Sequence, residues 1–532
     1  MFVASAAACA PSRTVSSRLT ASASPPASSS SYSPCSRRTR CRRRLLELTV
    51  LVFLPAVAAI VVLLLPARQE HLAKYVALAG SVATLALSLW LFFTFDLNES
   101  GYQFVERREW VDLGAFNLQY FLGVDGLSMP LVVLTAFLTT ASVLVSFSVT
   151  RRQRLYYALL LILSTSVLGV FTALDFMLFF LFWELELFPM YLLISIWGSG
   201  RKEYSATKFV LFTIAGSAFM LVGILVLAFS ASTFDIQVLG QSSFDDTVLP
   251  LRWVFLFLFI GFAIKLPIVP VHTWLPDAHS DAPTAVSVML AGVLLKMGGY
   301  GLIRMCVTIL PGQADDLSAW MAGAGAVSVL YGAFVTLRQT DVKRLIAYSS
   351  VSHMGLVLLG VGALGTTGMV GATYQMVAHG VITGLLFVMI GLIYERTHTR
   401  EIARLGGLAR QVPLLATGFV FAGFGSLGLP ALAGFIAEVM VFLGAFEQYE
   451  WAALMAIFGV VLSAGYILWM LQRVVFGPVR PEWNSLTDQR HWWEHSVVLM
   501  LAALIILLGV YPAILTDMIN PAIDTIVLRV GA

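Results

Sequence analysis

Apolar runs of about 20 residues recur from about residue 45 to residue 516, separated by short polar stretches. A run of that length makes a helix that crosses roughly 30 Å of hydrocarbon. The pattern predicts fourteen transmembrane helices, near 45–66, 74–95, 120–148, 155–174, 175–197, 208–230, 251–271, 283–305, 318–337, 344–364, 368–394, 412–446, 452–476 and 495–516. The runs are continuous, without the ten-residue alternation of a transmembrane barrel, so the expected fold class is an all-α integral membrane protein. Four regions follow: a tail at 1–44, three helices at 45–148, a ten-helix block at 155–476 and a last helix at 495–516.

Composition agrees that lipid is the solvent. Hydrophobic residues make up 58% of the chain and charged residues 12%, with a mean hydropathy of +0.85, values that exclude a soluble globular protein. The net charge of +3 gives no reason to expect a nucleic-acid partner. Cys9, Cys35, Cys41 and Cys306 form no CxxC or Cys/His ligand spacing, so no metal site and no bound cofactor is expected.

Placement of charge says more than its sum. With fourteen spans the loops fall into two alternating sets, one holding eighteen Lys and Arg and the other, beyond residue 44, only Arg107, Arg108, Arg252, Arg304 and Arg529. The rich set faces the cytoplasm, matrix or stroma, which puts both mature termini on the outer side. Residues 1–44 carry eight arginines and no acid, the composition of an organellar presequence or a mis-assigned start. The run Arg37–Arg44 opposes the orientation set by the later loops, so the tail is expected to be no part of the working protein.

Charges inside the spans are the candidate chemistry, because each costs about 2.5–3.5 kcal/mol at mid-bilayer on insertion scales. Glu184 lies nine residues past Asp175 and thirteen before Trp197, near the midplane of the fifth span. Glu186 is turned roughly 200° from it, so only one of the two can face a given polar axis, and Glu184 is preferred. Lys265 lies deep in the seventh span, directly before Pro267 and Pro270. Those prolines break the helix and leave free carbonyls and a negative dipole end beside the ammonium. Lys296 is central in the eighth span, some 12 Å from either surface and beyond snorkelling reach, so it needs a buried partner. His353 and His379 lie about ten residues inside their spans and can pass a proton between ring nitrogens. Glu438 follows the glycine- and proline-rich break of the twelfth span, near the positive end of a new half-helix. His272, Asp277 and His279 match no zinc spacing and are expected to hold the connecting segment by hydrogen bonds.

The two spans broken at a charge, seventh and twelfth, are five apart, and an odd offset inverts topology. Spans four to eight and nine to thirteen are therefore expected to be two inverted five-helix repeats with ion sites at their interface.

The segments WELELFPMYLLISIWG, IKLPIVPVHTWLPDAHSDAPTAVSVMLAGVLLKMGGYGLIR, QTDVKRLIAYSSVSHMG, QMVAHG and LPALAGFIAEVMVFLG resemble the subunit M (chain 4) family, the antiporter-like membrane subunits of proton-translocating NADH–quinone oxidoreductase, respiratory complex I. The resemblance runs from about residue 45 to the C-terminus. It implies that helices four to thirteen form a proton-translocation domain driven by quinone reduction elsewhere in the complex. Glu184 and Lys265 would be the coupling pair of one half-channel, Lys296 and the histidines the bridge, and Glu438 the terminal group of the other. It also implies membrane and peripheral partner subunits that hold the NADH, FMN, iron–sulfur and quinone sites. The location implied is an energy-coupling membrane: the bacterial plasma membrane first, the mitochondrial inner or thylakoid membrane otherwise. Glutamate on the twelfth span favours this family over its lysine-bearing sisters, and the short C-terminus argues against the sister with a long lateral helix. The second carboxylate of Trp-Glu-Leu-Glu looks like the photosynthetic relative that takes electrons from ferredoxin, which leaves the electron donor open. A sodium/proton antiporter of the multi-subunit type shares the fold and stands as the alternative function. A quinone-binding scaffold without transport is disfavoured, since it gives no reason for so many central charges.

Overall fold

The computed structural model describes residues 46–99, 101–112, 117–244, 247–483, 486, 488 and 491–531. The tail predicted at 1–44 lies outside them. Three helices open the described chain, α1 (Glu47–Leu64), α2 (Ala73–Thr94) and α3 (Met129–Val145). Between the last two stands an antiparallel hairpin of β1 (Gln103–Asp112) and β2 (Asn117–Val124).

The hairpin corrects the sequence reading, which began a span at residue 120. The apolar run Phe121–Val124 belongs to β2, and the helix starts only after Asp125 has turned the chain. The Asp125 carboxylate accepts from the backbone N–H groups of Leu127 and Ser128 at 3.2 and 3.0 Å. Glu106 of β1 reaches back to accept from the backbone of Leu48 at 2.7 Å and Thr49 at 3.2 Å. These are donors the first turn of α1 cannot satisfy within the helix.

The first repeat comprises α4 (Gln153–Thr172), then α5 (Phe176–Leu185) continued by α6 (Leu187–Trp197), then α7 (Lys202–Ala231). It goes on with α8 (Leu251–Lys265) and α9 (Trp274–Asp281), and ends in an inner helix, α10 (Thr284–Met289) and α11 (Leu295–Gly301), each followed by a wider π turn. The second repeat is α12 (Ser318–Thr336), α13 (Val342–Gly362), α14 (Thr366–Thr397), α15 (Pro413–Ser426) with α16 (Ala433–Gln448), and α17 (Glu450–Val474). Helices α18 (Trp492–Val510) and α19 (Ala513–Val530) close the described chain.

Cap geometry carries the repeat where sequence identity is weak. The second helix of each unit is capped by an aspartate: Asp175 accepts from Met177 and Leu178, Asp341 from Lys343 and Arg344. Each capping residue bridges, backbone to backbone, to an acid just beyond the third helix, Asp235 in one unit and Glu401 in the other. The third helices, 30 and 32 residues long, both end on a left-handed residue, Ser232 and His398.

Twelve helices among the described residues are long and apolar enough to cross a bilayer, and they coincide with twelve of the fourteen predicted spans. The other two predicted spans are the broken fourth helices. Their pieces α8, α15 and α16, at 15, 14 and 16 residues, are each too short for roughly 30 Å of hydrocarbon. Inner segments Thr284–Val307 and Thr366–Thr397 are buried along their whole apolar length, whereas α1, α2 and α7 leave most of theirs uncovered. Helix α19 was not foreseen, since the last span was expected to end at 516. It buries Leu515, Met518, Ile519, Ala522, Ile523 and Ile526, a stripe at helical spacing that holds it against the bundle.

Candidate functional site

Lys265 is the last residue of α8, and the chain reaches α9 through an irregular link in which Pro267 has a φ of +20°. The break is held by the Trp274 indole, which donates to the Ile264 carbonyl at 2.9 Å, and by Ser328, which accepts from the backbone of Val269 at 3.1 Å. The Lys265 ammonium forms an ion pair with Glu186, and both side chains are fully buried. It sits 5.6 Å from the Trp183 ring and 5.1 Å from the Phe209 ring, within cation–π range of both.

The sequence reading gave that partner role to Glu184, and the structure reverses the choice of face. Trp183, Glu186 and Met190, spaced three and four apart, turn inward, while Leu185 and Phe188 are exposed and Glu184 is half-buried. Glu186 stands at the junction of α5 and α6, three residues before Pro189, whose missing N–H loosens the helix there. Glu184 remains within electrostatic reach of the same ammonium. Lys265 therefore has one carboxylate in contact and a second nearby.

Lys296 lies in α11 between the two π turns, fully buried, and donates to the carbonyl of Ala291. Its expected partner is His379, whose Nδ1 is 2.7 Å from the ammonium nitrogen. Single π turns within α-helices often accompany functional sites because they re-aim side chains and free carbonyls. From His379 the line continues to His353, with ring centroids 5.5 Å apart. The Nδ1 of His353 is 3.8 Å from Glu438 Oε1 and 3.3 Å from Gln375 Nε2, and its Nε2 is 3.4 Å from Ser426 Oγ. These groups enclose a cavity of about 10 Å³, roughly the room for one water. Glu438 is the sixth residue of α16. It therefore lies past the first turn, the part of the helix where the dipole acts most strongly, and its polar neighbour is the His353 ring at 3.8 Å.

Lys296, His379, His353 and Glu438 thus come together across α11, α14, α13 and α16, while Lys265 with Glu186 and Glu184 forms a separate cluster in the first repeat. Sequence reasoning missed Gln375 and Ser426. Gln375 was findable, four residues before His379 on one helix face; Ser426 was not, because only the break in the fourth helix brings it to His353. Asp277 accepts from Lys208 at 2.7 Å and pairs with Arg344 at 3.4 Å, while His272 lies edge-on to Tyr331. Among the described residues no group of three or more His, Cys, Asp or Glu is arranged to hold a metal ion.

Two family models match the chain. Residues 173–463 match that of the NADH:quinone oxidoreductase/Mrp antiporter membrane region, and residues 109–170 that of the NADH-ubiquinone oxidoreductase chain 4 amino terminus. The chain is 43% identical over 496 residues to NADH-quinone oxidoreductase subunit M of Rhodobacter capsulatus, covering 90% of this chain and 96% of that one. It is 43% identical over 483 residues to an NAD(P)H-quinone oxidoreductase chain 4 of Synechococcus, covering 88% and 90%. In fold it is similar to a chain of respiratory complex I from Thermus thermophilus with bound NADH, with a TM-score of 0.83, 30% identity, and 91% and 100% coverage. The broken helices, the buried charges and these likenesses coincide on the same residues, and the chain belongs to the subunit M/chain 4 family of NADH-quinone oxidoreductase membrane subunits.

Proposed function

We propose that this chain is a proton-translocating membrane subunit of an NADH-quinone oxidoreductase, coupling quinone reduction in other subunits to proton movement along its buried charges. The observation that carries this reading is the unbroken series Lys296, His379, His353 and Glu438, four ionisable groups buried in one line between the two repeats. Burial without such neighbours would cost several kcal/mol per charge. In this reading Lys265 and Glu186 form the switchable pair of the first repeat, with Glu184 as the second carboxylate. Opening that pair changes the field felt by Lys296, which hands its proton to His379, then His353, then Glu438. The redox groups belong to partner subunits, and the working location is the bacterial plasma membrane or an equivalent energy-coupling membrane.

The antiporter reading uses the same fold and the same charges. The two relatives at 43% identity both carry oxidoreductase names and favour the first reading. Purification of the native assembly decides between them. Recovery of the chain with flavin- and iron–sulfur-containing subunits supports the oxidoreductase reading, and recovery in a flavin-free complex exchanging sodium for protons refutes it. Whether the electrons come from NADH or ferredoxin is read from which donor reduces that purified complex.

A further inference from the structure

Among the buried ionisable groups outside the line above are Lys343, at the start of α13, and His279, in α9. Lys343 is one of the eighteen cations of the rich loop set, yet it is only 6% exposed and donates to the Ala282 carbonyl. It stands in the wall of a cavity of about 110 Å³, with Trp197, Ser199, Thr284, Gly391 and Arg400. The cavity lies among the arginine-rich segments, where the Trp197 indole donates to the Arg151 carbonyl at 2.8 Å. Its cations are balanced: Asp341 is 3.4 Å from Arg400, and Asp281, which accepts from Ser205 at 2.6 Å, also faces Lys343.

His279 is fully buried and stacked flat on Phe387, with ring centroids 4.7 Å apart, and neither ring nitrogen has a hydrogen-bond partner. It lies within electrostatic reach of Lys343 and also of Lys296 and His379. Along α14, the residues His379, Thr383, Phe387 and Gly391 are four apart, a slowly turning stripe about 18 Å long. One end reaches the buried histidine pair, the middle supports His279 and the other end walls the cavity. The repeat supplies an independent argument, since His279 is the sixth residue of α9 as Glu438 is the sixth of α16.

We propose that the cavity walled by Lys343 and Arg400 is the mouth through which protons are taken up from the arginine-rich side, and that His279 passes them to His379 and Lys296. This rests on the proton-translocation reading above and adds where the line is loaded. Water in the cavity delivers a proton to one ring nitrogen of His279, and the proton on the other leaves toward Nε2 of His379, which is itself unpartnered. His379 then releases its Nδ1 proton to a neutral Lys296 amine, which holds it until the pair in the first repeat opens and then returns it through His379 toward His353, so one proton enters and one is passed on at each group.

The test uses the assembled complex in inverted membrane vesicles. His279→Gln keeps hydrogen-bonding capacity but cannot titrate near neutrality, and is expected to lower proton uptake per quinone reduced by roughly tenfold or more. In parallel, Ser199→Cys, in a chain with Cys9, Cys35 and Cys41 replaced by Ser, is treated with a charged, membrane-impermeant thiol reagent. Labelling only from the arginine-rich face, with loss of uptake, is expected. Normal uptake by His279→Gln overturns the proposal, as does labelling without loss or no labelling from that face. If His279→Gln fails to assemble, the labelling result decides. Lys265→Met separates the two levels: continued pumping in that variant refutes the translocation reading itself, whereas its loss alongside normal His279→Gln and labelled complexes refutes only the uptake mouth.

Discussion

In the first repeat Lys265 closes directly on Glu186 inside an aromatic cage, and neither side chain touches solvent. In the second, Glu438 stands 3.8 Å from His353, which has Gln375 and Ser426 as further neighbours and room for about one water beside it. The scaffold is the same in both: aspartate cap, left-handed end to the third helix, break in the fourth. The contents differ in tightness. A close pair of opposite charges holds one state firmly, because removing either partner leaves the other uncompensated in low dielectric. A loose set with several neutral neighbours has no such single state, so a proton crosses it with little rearrangement. One repeat is built to switch and the other to conduct.

The largest expected effects lie in the tight pair. Lys265→Met and Glu186→Gln should each abolish proton uptake by inverted vesicles and lower stability by about 3–5 kcal/mol, since each strands a buried group. Combining the two should restore stability without restoring uptake. Glu184→Gln should retain measurable uptake, because Glu184 is half-buried and not in the ion pair. Equal loss in the Glu184 and Glu186 variants would erase the distinction between contact and nearby carboxylate.

In the loose set, Glu438→Gln should cut uptake at least as strongly as His353→Gln, which is expected to lose roughly tenfold or more. Neither should destabilise the complex by more than about 1 kcal/mol, since no full opposite charge is stranded. Thermal unfolding of the assembled complex measures the second quantity. A large stability loss in Glu438→Gln would mean that this half also holds a tight ion pair.

How much of this was legible depended on the kind of signal. Apolar length gave the helices, and the prolines after Lys265 and the glycines before Glu438 marked both breaks, because those residues change backbone geometry wherever they stand. The hairpin was missed because Phe121–Val124 continues an apolar run, and length alone cannot separate a buried strand from a helix start. The partner of Lys265 was misjudged because depth in the span decided between the two carboxylates, whereas the inward face, marked by Trp183, Glu186 and Met190 at helical spacing, carries Glu186. The π turns around Lys296 leave no local sequence signal, and Ser426 reaches His353 only through tertiary packing. Lys343 looked like a loop cation because its burial depends on Ala282, sixty-one residues earlier in the chain.

A smaller effect tests the glycine beside Glu438. Gly428 has a φ of +73°, and a Cβ there would lie 2.5 Å from Glu438 Oε2. Gly428→Ala should cost about 1–2 kcal/mol from the left-handed backbone. It should also push the carboxylate from His353 and lower uptake several-fold, less than Glu438→Gln does. Unchanged uptake would show that the Glu438 position is not critical.

The smallest effects distinguish the two aspartate caps, which share geometry but not surroundings. Asp175 faces the Asp235 carboxylate, whereas Asp341 is 3.4 Å from Arg400. Burial first, and the Asp235 charge in addition, push the Asp175 carboxyl up to about 6 from 3.8, against the pull of its backbone donors. A carboxyl raised on folding carries no penalty when both states are protonated. The penalty grows as pH rises from about 4, where the unfolded chain ionises first, and is complete above about 6. Asparagine caps a helix nearly as well and does not titrate. Asp175→Asn should therefore raise the stability of the complex at pH 8 by about 1–2 kcal/mol, and by less at pH 5. Asp341→Asn loses its attraction to a partly exposed Arg400 and should lower stability at pH 8 by about 0.2–1 kcal/mol. Opposite signs at pH 8 are the expected result; a loss in both variants would mean that the two caps, like the helices they start, are electrostatically alike.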